Sequence, residues 1–321
     1  MANMGLDRPI RYHGAMMVLL RRLFRGFFVL VALLSVVACA LHISNSGDDP
    51  VPDPAPGSLR VATYNVHYIV VRRDTGPWSL GDWERRKAPL DEAFKTVDAD
   101  VIGFQEMESF GGGHQSSENL TLTYLLDQNP GYAAAAVGDP SMFPSTQPIL
   151  YRTARLTMLN QGWFFFSDTP DVIYSRTFNG SFPAFASWAR FRETNGAEFL
   201  VMNVHFEYSS RSNRLLSAEL VVERLQPFLD EGLPVILLGD LNARHGSQTQ
   251  EILSRAGLEF APVDGATYHF DRGINLFGAI DHIGATPPLT FPEPPAVLRR
   301  QFQGEWPTDH YPVLVDVSLP R

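Results

Sequence analysis

Short apolar blocks recur along this chain, and most of them end on a polar side chain capable of chemistry. Residues 59–66 form a strand candidate ending at Asn65, and residues 101–104 a second, buried one ending at Gln105-Glu106. Residues 83–97 carry Leu90, Ala93, Phe94 and Val97 at helical spacing, with Glu84, Arg85, Arg86 and Lys87 in the first turn. Residues 132–137, 148–151 and 163–166 read as short strands. Residues 185–191 and 198–204 read as an antiparallel pair joined by a turn at 193–196. Residues 213–229 predict an amphipathic helix with Leu215, Ala218, Val221, Val222, Leu225 and Phe228 inward. Residues 234–238 are apolar throughout and end at Gly239-Asp240, where the glycine permits a tight turn. Further strands are expected at 279–283 and 313–317. Hairpins and crossover units occur together, which favours two packed sheets with helices outside.

The N-terminus has a different pattern. Arg21, Arg22 and Arg25 precede residues 27–38, which are apolar except for one Ser. A basic segment before a short apolar run reads as an export signal. The run is short for a bilayer span of about 20 residues. It ends Val36-Val37-Ala38-Cys39, which resembles a bacterial lipobox with Val36 in place of the more usual Leu. That resemblance implies cleavage before Cys39 and lipid attachment to its sulfur. An uncleaved anchor and plain secretion are the alternatives. Residues 44–58 mix Pro, Asp, Gly and Ser, which predicts an extended tether. The expected division is therefore 1–43 signal or membrane anchor, 44–58 linker and 59–321 catalytic body.

Composition narrows the reading. Of the 321 residues, 45% are hydrophobic and 19% charged, as in an ordinary globular domain. The net charge is -9. The first 58 residues carry five Arg and four Asp, leaving 21 basic and 31 acidic residues in the body. A protein that grips nucleic acid through its phosphate backbone usually shows a basic surface, so these totals disfavour a general nuclease. Cys39 is the only cysteine, which excludes an intrachain disulfide and a cysteine metal site. The segment 110–114 (FGGGH) lacks the Lys-Ser/Thr ending of a nucleotide-binding loop and reads as a plain loop.

The strand-end groups suit phosphate ester cleavage. A phosphodiester repels nucleophiles, so a catalyst must neutralise charge, activate water and stabilise the leaving oxygen. A hard cation such as Mg²⁺ takes oxygen ligands. Glu106 is a candidate ligand, and Asn65 offers an amide oxygen to bind or orient the ion. Asp240 can take a proton from water while Asn242 holds a phosphate oxygen or the water; alternatively both cap a turn. His205 and His310 can bind phosphate oxygens when protonated. Strand alternation sends Asp281 and Ile283 to one face and Ile280 and His282 to the other. Asp281 is then the partner expected for His310, Asp309 completes the metal shell or orients the amides, and His282 is not catalytic. His67, His245 and His269 read as satisfied core histidines.

In order, Thr63-Tyr64-Asn65-Val66-His67, Gln105-Glu106, Asn203-Val204-His205-Phe206-Glu207-Tyr208, Gly239-Asp240-Leu241-Asn242-Ala243, Ile280-Asp281-His282-Ile283 and Thr308-Asp309-His310-Tyr311-Pro312 resemble the endonuclease/exonuclease/phosphatase (DNase I-like) superfamily. The resemblance runs over residues 59–317. A bacterial secreted or envelope branch is echoed in Trp83-Glu84-Arg85-Arg86-Lys87, Ile149-Leu150-Tyr151-Arg152 and residues 162–170 and 203–214. The resemblance implies a four-layer α/β sandwich, two packed mixed β-sheets flanked by helices, and a Mg²⁺-dependent phosphoesterase, with Mn²⁺ as the alternative ion. It implies that Asn65 and Glu106 sit at the metal with Asp309 beside it. His205 and Asn242 then hold phosphate, Asp240 activates water, and His310 works with Asp281. The substrate it implies is a phosphate ester: a lipid headgroup, an inositol phosphate or nucleic acid. Gln147 and Glu207 replace the branch's usual Asn and Asp, and the usual Arg before residues 186–188 is missing. The competing readings are an extracellular nuclease and a non-catalytic binding module that keeps the fold. No Gly-x-Ser-x-Gly elbow supports a serine hydrolase.

Overall fold

A computed structural model describes residues 10–111 and 118–319. Residues 112–114 of the glycine-rich loop lie outside the described residues. The first sheet contains β1 (Ser58–Asn65), β3 (Val101–Gln105), β5 (Tyr132–Ala135), β6 (Ile149–Arg152), β13 (Ala296–Val297) and β14 (Val313–Ser318). Its order is β13-β14-β1-β3-β6-β5, and only β1 and β3 run parallel. The second sheet contains β7 (Leu156–Phe165), β8 (Phe185–Glu193), β9 (Glu198–His205), β10 (Val235–Asp240), β11 (Glu259–Phe260) and β12 (Asp281–Ala285). Its order is β11-β12-β10-β9-β8-β7, with β9 and β10 as the parallel pair. A two-residue pair, β2 (Ile69–Val70) and β4 (Ser109–Phe110), stands apart.

The two sheets stack face to face. Helices α2 (Leu80–Val97) and α3 (Leu120–Gln128) cover the first, and α4 (Arg211–Asp230) and α5 (Gln248–Leu253) the second, completing the expected four layers. The period of two decides which side chains meet between the sheets. In β1, Leu59 and Val61 enter the inter-sheet core, while Ala62 and Tyr64 pack outward against the helices. The same holds for Val101 against Ile102 and Phe104, for Phe199 and Val201 against Leu200 and Met202, and for Ile236 and Leu238 against Val235 and Leu237. Each fully buried side chain of this size contributes about 1.5–3 kcal/mol. Continuing each inward series gives Thr63 and Asn65, Gln105, Asn203 and His205, and Asp240. The inter-sheet core is thus apolar along most of its length and polar where the two parallel pairs end.

Close packing requires glycine at two points, one between the sheets and one between neighbouring strands of the second sheet. A Cβ on Gly103 would lie 2.1 Å from Leu238 Cδ1, and one on Gly239 would lie 1.9 Å from the Val204 carbonyl oxygen. Gly239 therefore sits inside β10 against its neighbour strand, rather than forming the tight turn its sequence context suggests.

Helix α1 (Ile10–Ser44) is longer than the apolar run first suggests. Residues Met16–Ser44 are long and apolar enough to cross a membrane by length and composition. The segment after it is not the free tether expected from composition. Asp49 N donates to Val297 O, Val297 N to Asp49 Oδ2 (2.9 Å) and Ala55 N to Asp316 Oδ2 (2.7 Å). Arg60 Nη2 bonds Pro52 O, and Arg299 Nη1 bonds Gly47 O. Its few free N–H groups and carbonyls find partners along the sheet edge, so the proline-rich stretch docks without a core of its own.

Candidate active site

The strand register assembles the site. Pairing of β10 sets Asp240 opposite His205 on one side and Asp281 on the other. Pairing of β1 with β3 sets Asn65 beside Gln105. Stacking of the sheets brings the two groups together: Asn65 Nδ2 donates to Glu106 Oε1 at 3.1 Å and to Asp240 Oδ2 at 3.3 Å. The loop before β14 adds Thr308, Asp309 and His310, fastened by a hydrogen bond from Thr308 Oγ1 to Asn65 O (3.0 Å).

Asp240 Oδ2 is the focus. Besides Asn65, it lies 3.6 Å from His205 Nε2 and 3.8 Å from His310 Nε2. Its other oxygen accepts from Asn242 N at 2.8 Å. Burial, reinforced by the Asp281 carboxylate, pushes the Asp240 carboxyl up to about 6, against the pull of both histidines. His310 Nδ1 donates to Asp281 Oδ2 at 2.9 Å. Burial alone would favour neutral His310, but Asp281, then Asp240 and Asp309, raise it to about 10. His310 is therefore an imidazolium at neutral pH, with Nε2–H facing the cleft. His205 is held neutral by burial in spite of Asp240.

Asn65 turns its amide nitrogen to the carboxylates and its oxygen to His67 N (3.3 Å), so the oxygen expected at a metal is engaged here. Asn242 likewise commits an amide N–H to Phe206 O (2.9 Å). Phasing along β12 is as expected: Asp281 and Ile283 point between the sheets, and His282 turns out to bond Ala243 O. Cys39 lies exposed within α1, far along the chain from this cleft.

Two histidine expectations are corrected. His67 is no core histidine: it lies 4.0 Å from both Glu106 Oε2 and Asp309 Oδ2, and its buried Nδ1 has no hydrogen-bond partner. Burial keeps it neutral. Its φ of 63° turns the chain back toward the cleft after β1, a conformation no periodicity reveals. Glu106 (φ 54°) and Asn242 (φ 45°) share that left-handed region, so three groups of the site sit on uncommon backbone. His245 is exposed rather than buried. His269 fits the core reading in part: it is buried and stacked 4.1 Å from Tyr311 with Nδ1 accepting from Gly273 N, but its Nε2 has no hydrogen-bond partner.

The supporting residues were less visible in sequence. Buried Arg86 donates to Val66 O (2.8 Å), Pro307 O (3.2 Å) and His67 O (3.2 Å), tying together the loops that carry Asn65, His67 and Asp309. Gln105 Nε2 bonds Asn203 Oδ1 at 2.7 Å beneath the site, across the two sheets. Tyr268 pairs by backbone with His310 and sets its ring edge-to-face with the imidazole, the ring centres 5.1 Å apart. Gln147 bonds Phe185 O and Asn203 O, and Glu207 holds Ser181 and Ser209, so both departures serve structure.

The charge balance suits a divalent cation. Four carboxylates, Glu106, Asp240, Asp281 and Asp309, share the cleft with a single imidazolium. Asp281 Oδ1 is buried and unpartnered. Buried negative charge in such excess requires a positive partner, and carboxylate oxygens suit a hard ion. Ligand atoms of Asp240, Asp281 and His310 lie within 4.8 Å of one another, yet a protonated His310 has no lone pair to give. Glu106 and Asp309, on either side of His67, present the more exposed carboxylates of the four.

A sequence model of the Endonuclease/Exonuclease/phosphatase family matches residues 62–310. The chain is 26% identical to a mannosyl-6-phosphatase of Bacteroides thetaiotaomicron, with a TM-score of 0.70 over 82% of this chain and 100% of that one. It is 27% identical to an endonuclease/exonuclease/phosphatase family protein of the same bacterium, with a TM-score of 0.68 over 83% of this chain and 98% of that one. The catalytic domain of human Nocturnin, solved with a bound sulfate anion, shares the fold at 15% identity, a TM-score of 0.60, and 84% and 97% coverage. No curated protein sequence matches significantly.

Proposed function

The chain belongs to the endonuclease/exonuclease/phosphatase family and is a phosphoric ester hydrolase; from that premise we propose a Mg²⁺-dependent phosphoesterase held at the cell envelope, in which Asp240 activates the attacking water. The observation that carries this reading is the convergence of Asn65, His205 and His310 on one Asp240 oxygen, with His310 fixed by Asp281. A carboxyl near pH 6 is ionised at neutral pH yet basic enough to accept a proton, which matches a general base. The imidazolium of His310 presents Nε2–H to a phosphoryl oxygen, where charge builds up during attack. His205 and Asn242 border the same position. Glu106 and Asp309, with Asn65 orienting Glu106, would hold the cation. When bound, that ion neutralises phosphoryl charge. Mn²⁺ is the alternative ion.

Two features bear on substrate. The acidic body disfavours long polyanions. Similarity to a mannosyl-6-phosphatase supports a compact phosphomonoester, and an envelope location supports lipid headgroups. A panel of mannose 6-phosphate, an inositol phosphate, phospholipid diesters and single-stranded DNA separates these classes. Turnover is expected to vanish with EDTA and return with Mg²⁺ or Mn²⁺, and to be nearly lost in a folded His310→Ala variant. Full turnover in EDTA, or by that variant, would sink the reading.

A further inference from the structure

The end of α1 is built into the body beside the active site. Ala38, His42 and Asn45 are partly covered, while the residues between them are exposed, so one helical stripe faces the body. Its partner is Asn275, a buried residue more than 200 positions away. Asn275 N donates to His42 Nδ1 (3.1 Å), Asn45 Nδ2 donates to Asn275 O (3.4 Å), and Asn275 Nδ2 donates to Ser46 Oγ (2.9 Å). Ala266 N bonds Asn45 O at 3.1 Å. From the other side, Tyr311 Oη donates to Asn275 Oδ1 at 3.2 Å. Segment 266–278 thus runs between the helix end and the site: Tyr268 pairs with His310, and His269 N bonds Asp309 O at 2.8 Å.

This segment exposes apolar side chains beside that contact. Ile274 and Phe277 flank Asn275 and are 38% and 42% exposed; Phe270 is 37% exposed, with its ring 5.7 Å from that of Phe277. Asp271 and Arg272 cancel, so the loop carries no net charge to hold it in water. An apolar loop next to the end of an apolar helix has one natural occupant. We propose that Phe270, Ile274 and Phe277 contact the lipid bilayer, so that the mouth of the phosphoester site rests on the membrane surface. The inference rests on reading α1 as the envelope anchor. An uncleaved helix ending at Ser44, next to Asn45, would bring the bilayer to this loop. Aromatic and aliphatic side chains suit that interfacial depth.

The test uses the full chain with Cys39 replaced by Ser and single cysteines at Ile274, Phe277, Val36 or Glu223, the last on the solvent face of α4. Each carries an environment-sensitive fluorophore in phosphatidylcholine vesicles containing lipid-borne nitroxide quencher. Because an interfacial apolar segment sits roughly 5–10 Å into the headgroup boundary, probes at 274 and 277 are expected to lose about half of their emission or more. The Glu223 probe should lose none. Quenching at 36 without quenching at 274 and 277 would overturn the loop contact while leaving the anchor intact. An unquenched probe at 36 would remove the anchor reading and the loop contact with it. Hydrolysis of soluble esters is measured separately, so failure of the phosphoesterase reading is distinguishable from either result.

Discussion

Replacing Asp281 with Asn removes one charge at nearly constant shape, and its effect follows from the His310 geometry. His310 is buried, which opposes its charging, and the Asp281 carboxylate at 2.9 Å foremost reverses that preference. The rise from 6.5 to about 10 corresponds to about 5 kcal/mol in favour of the imidazolium, at roughly 1.4 kcal/mol per pH unit. The introduced carboxamide would still accept a hydrogen bond from Nδ1, but burial would then dominate. The His310 pKa should fall by about two units or more, leaving half or more of it neutral at pH 8. Loss of one charged donor to the developing phosphoryl charge costs about 10²–10³ in rate. The assay is kcat/KM against pH from 5 to 10.5 on one soluble ester, with circular dichroism to confirm folding. Wild-type activity should persist until His310 deprotonates near pH 10, and the variant's alkaline fall should begin near neutrality. A folded variant with an unmoved alkaline limb and near wild-type turnover would refute the electrostatic coupling.

Other perturbations probe the surrounding design. The Asp240 carboxyl is raised from 3.8 to about 6 in the fold, so the folded state loses stability as pH climbs through that interval, by about 3 kcal/mol at pH 8. Asp240→Asn should therefore raise Tm by several degrees at pH 8, with the gain shrinking toward pH 4, while abolishing turnover; a lower Tm at pH 8 would contradict this. Arg86→Ala strips three buried carbonyls of their donor, at about 1–3 kcal/mol each. Urea denaturation should show a loss of several kcal/mol, and an unchanged midpoint would show that the loops need no such tie. Gly239→Ala forces a Cβ into the Val204 carbonyl and should cost more than about 2 kcal/mol in the same assay or prevent soluble expression. A variant as stable as wild type would mean that the strands are free to part.

Much of the site was legible because alternation along a strand is local. The opposite facing of Asp281 and His282 needed only a period of two, and Asn65, His205 and Asp240 stood out as polar groups at the ends of apolar strands. His67 escaped because its place depends on a left-handed residue just after β1. The docking of segment 46–57 escaped because its partners, Val297, Arg299 and Asp316, are about 250 positions away. Gly239 was visible as a glycine, but its cause, the approach of Val204 O, lies on another strand.

Sequence alone determined which side chain stands at the end of which strand, because hydrophobic burial on both faces leaves each inward position only one direction to point. Tertiary structure decided that the polar ends of two separate sheets coincide, and that coincidence sets the charges. Asp240 is pushed toward neutrality by burial and Asp281, and His310 is held charged by the same carboxylate. Electrostatic energy depends on distance and on exclusion of water, and both arise only when the sheets close on each other.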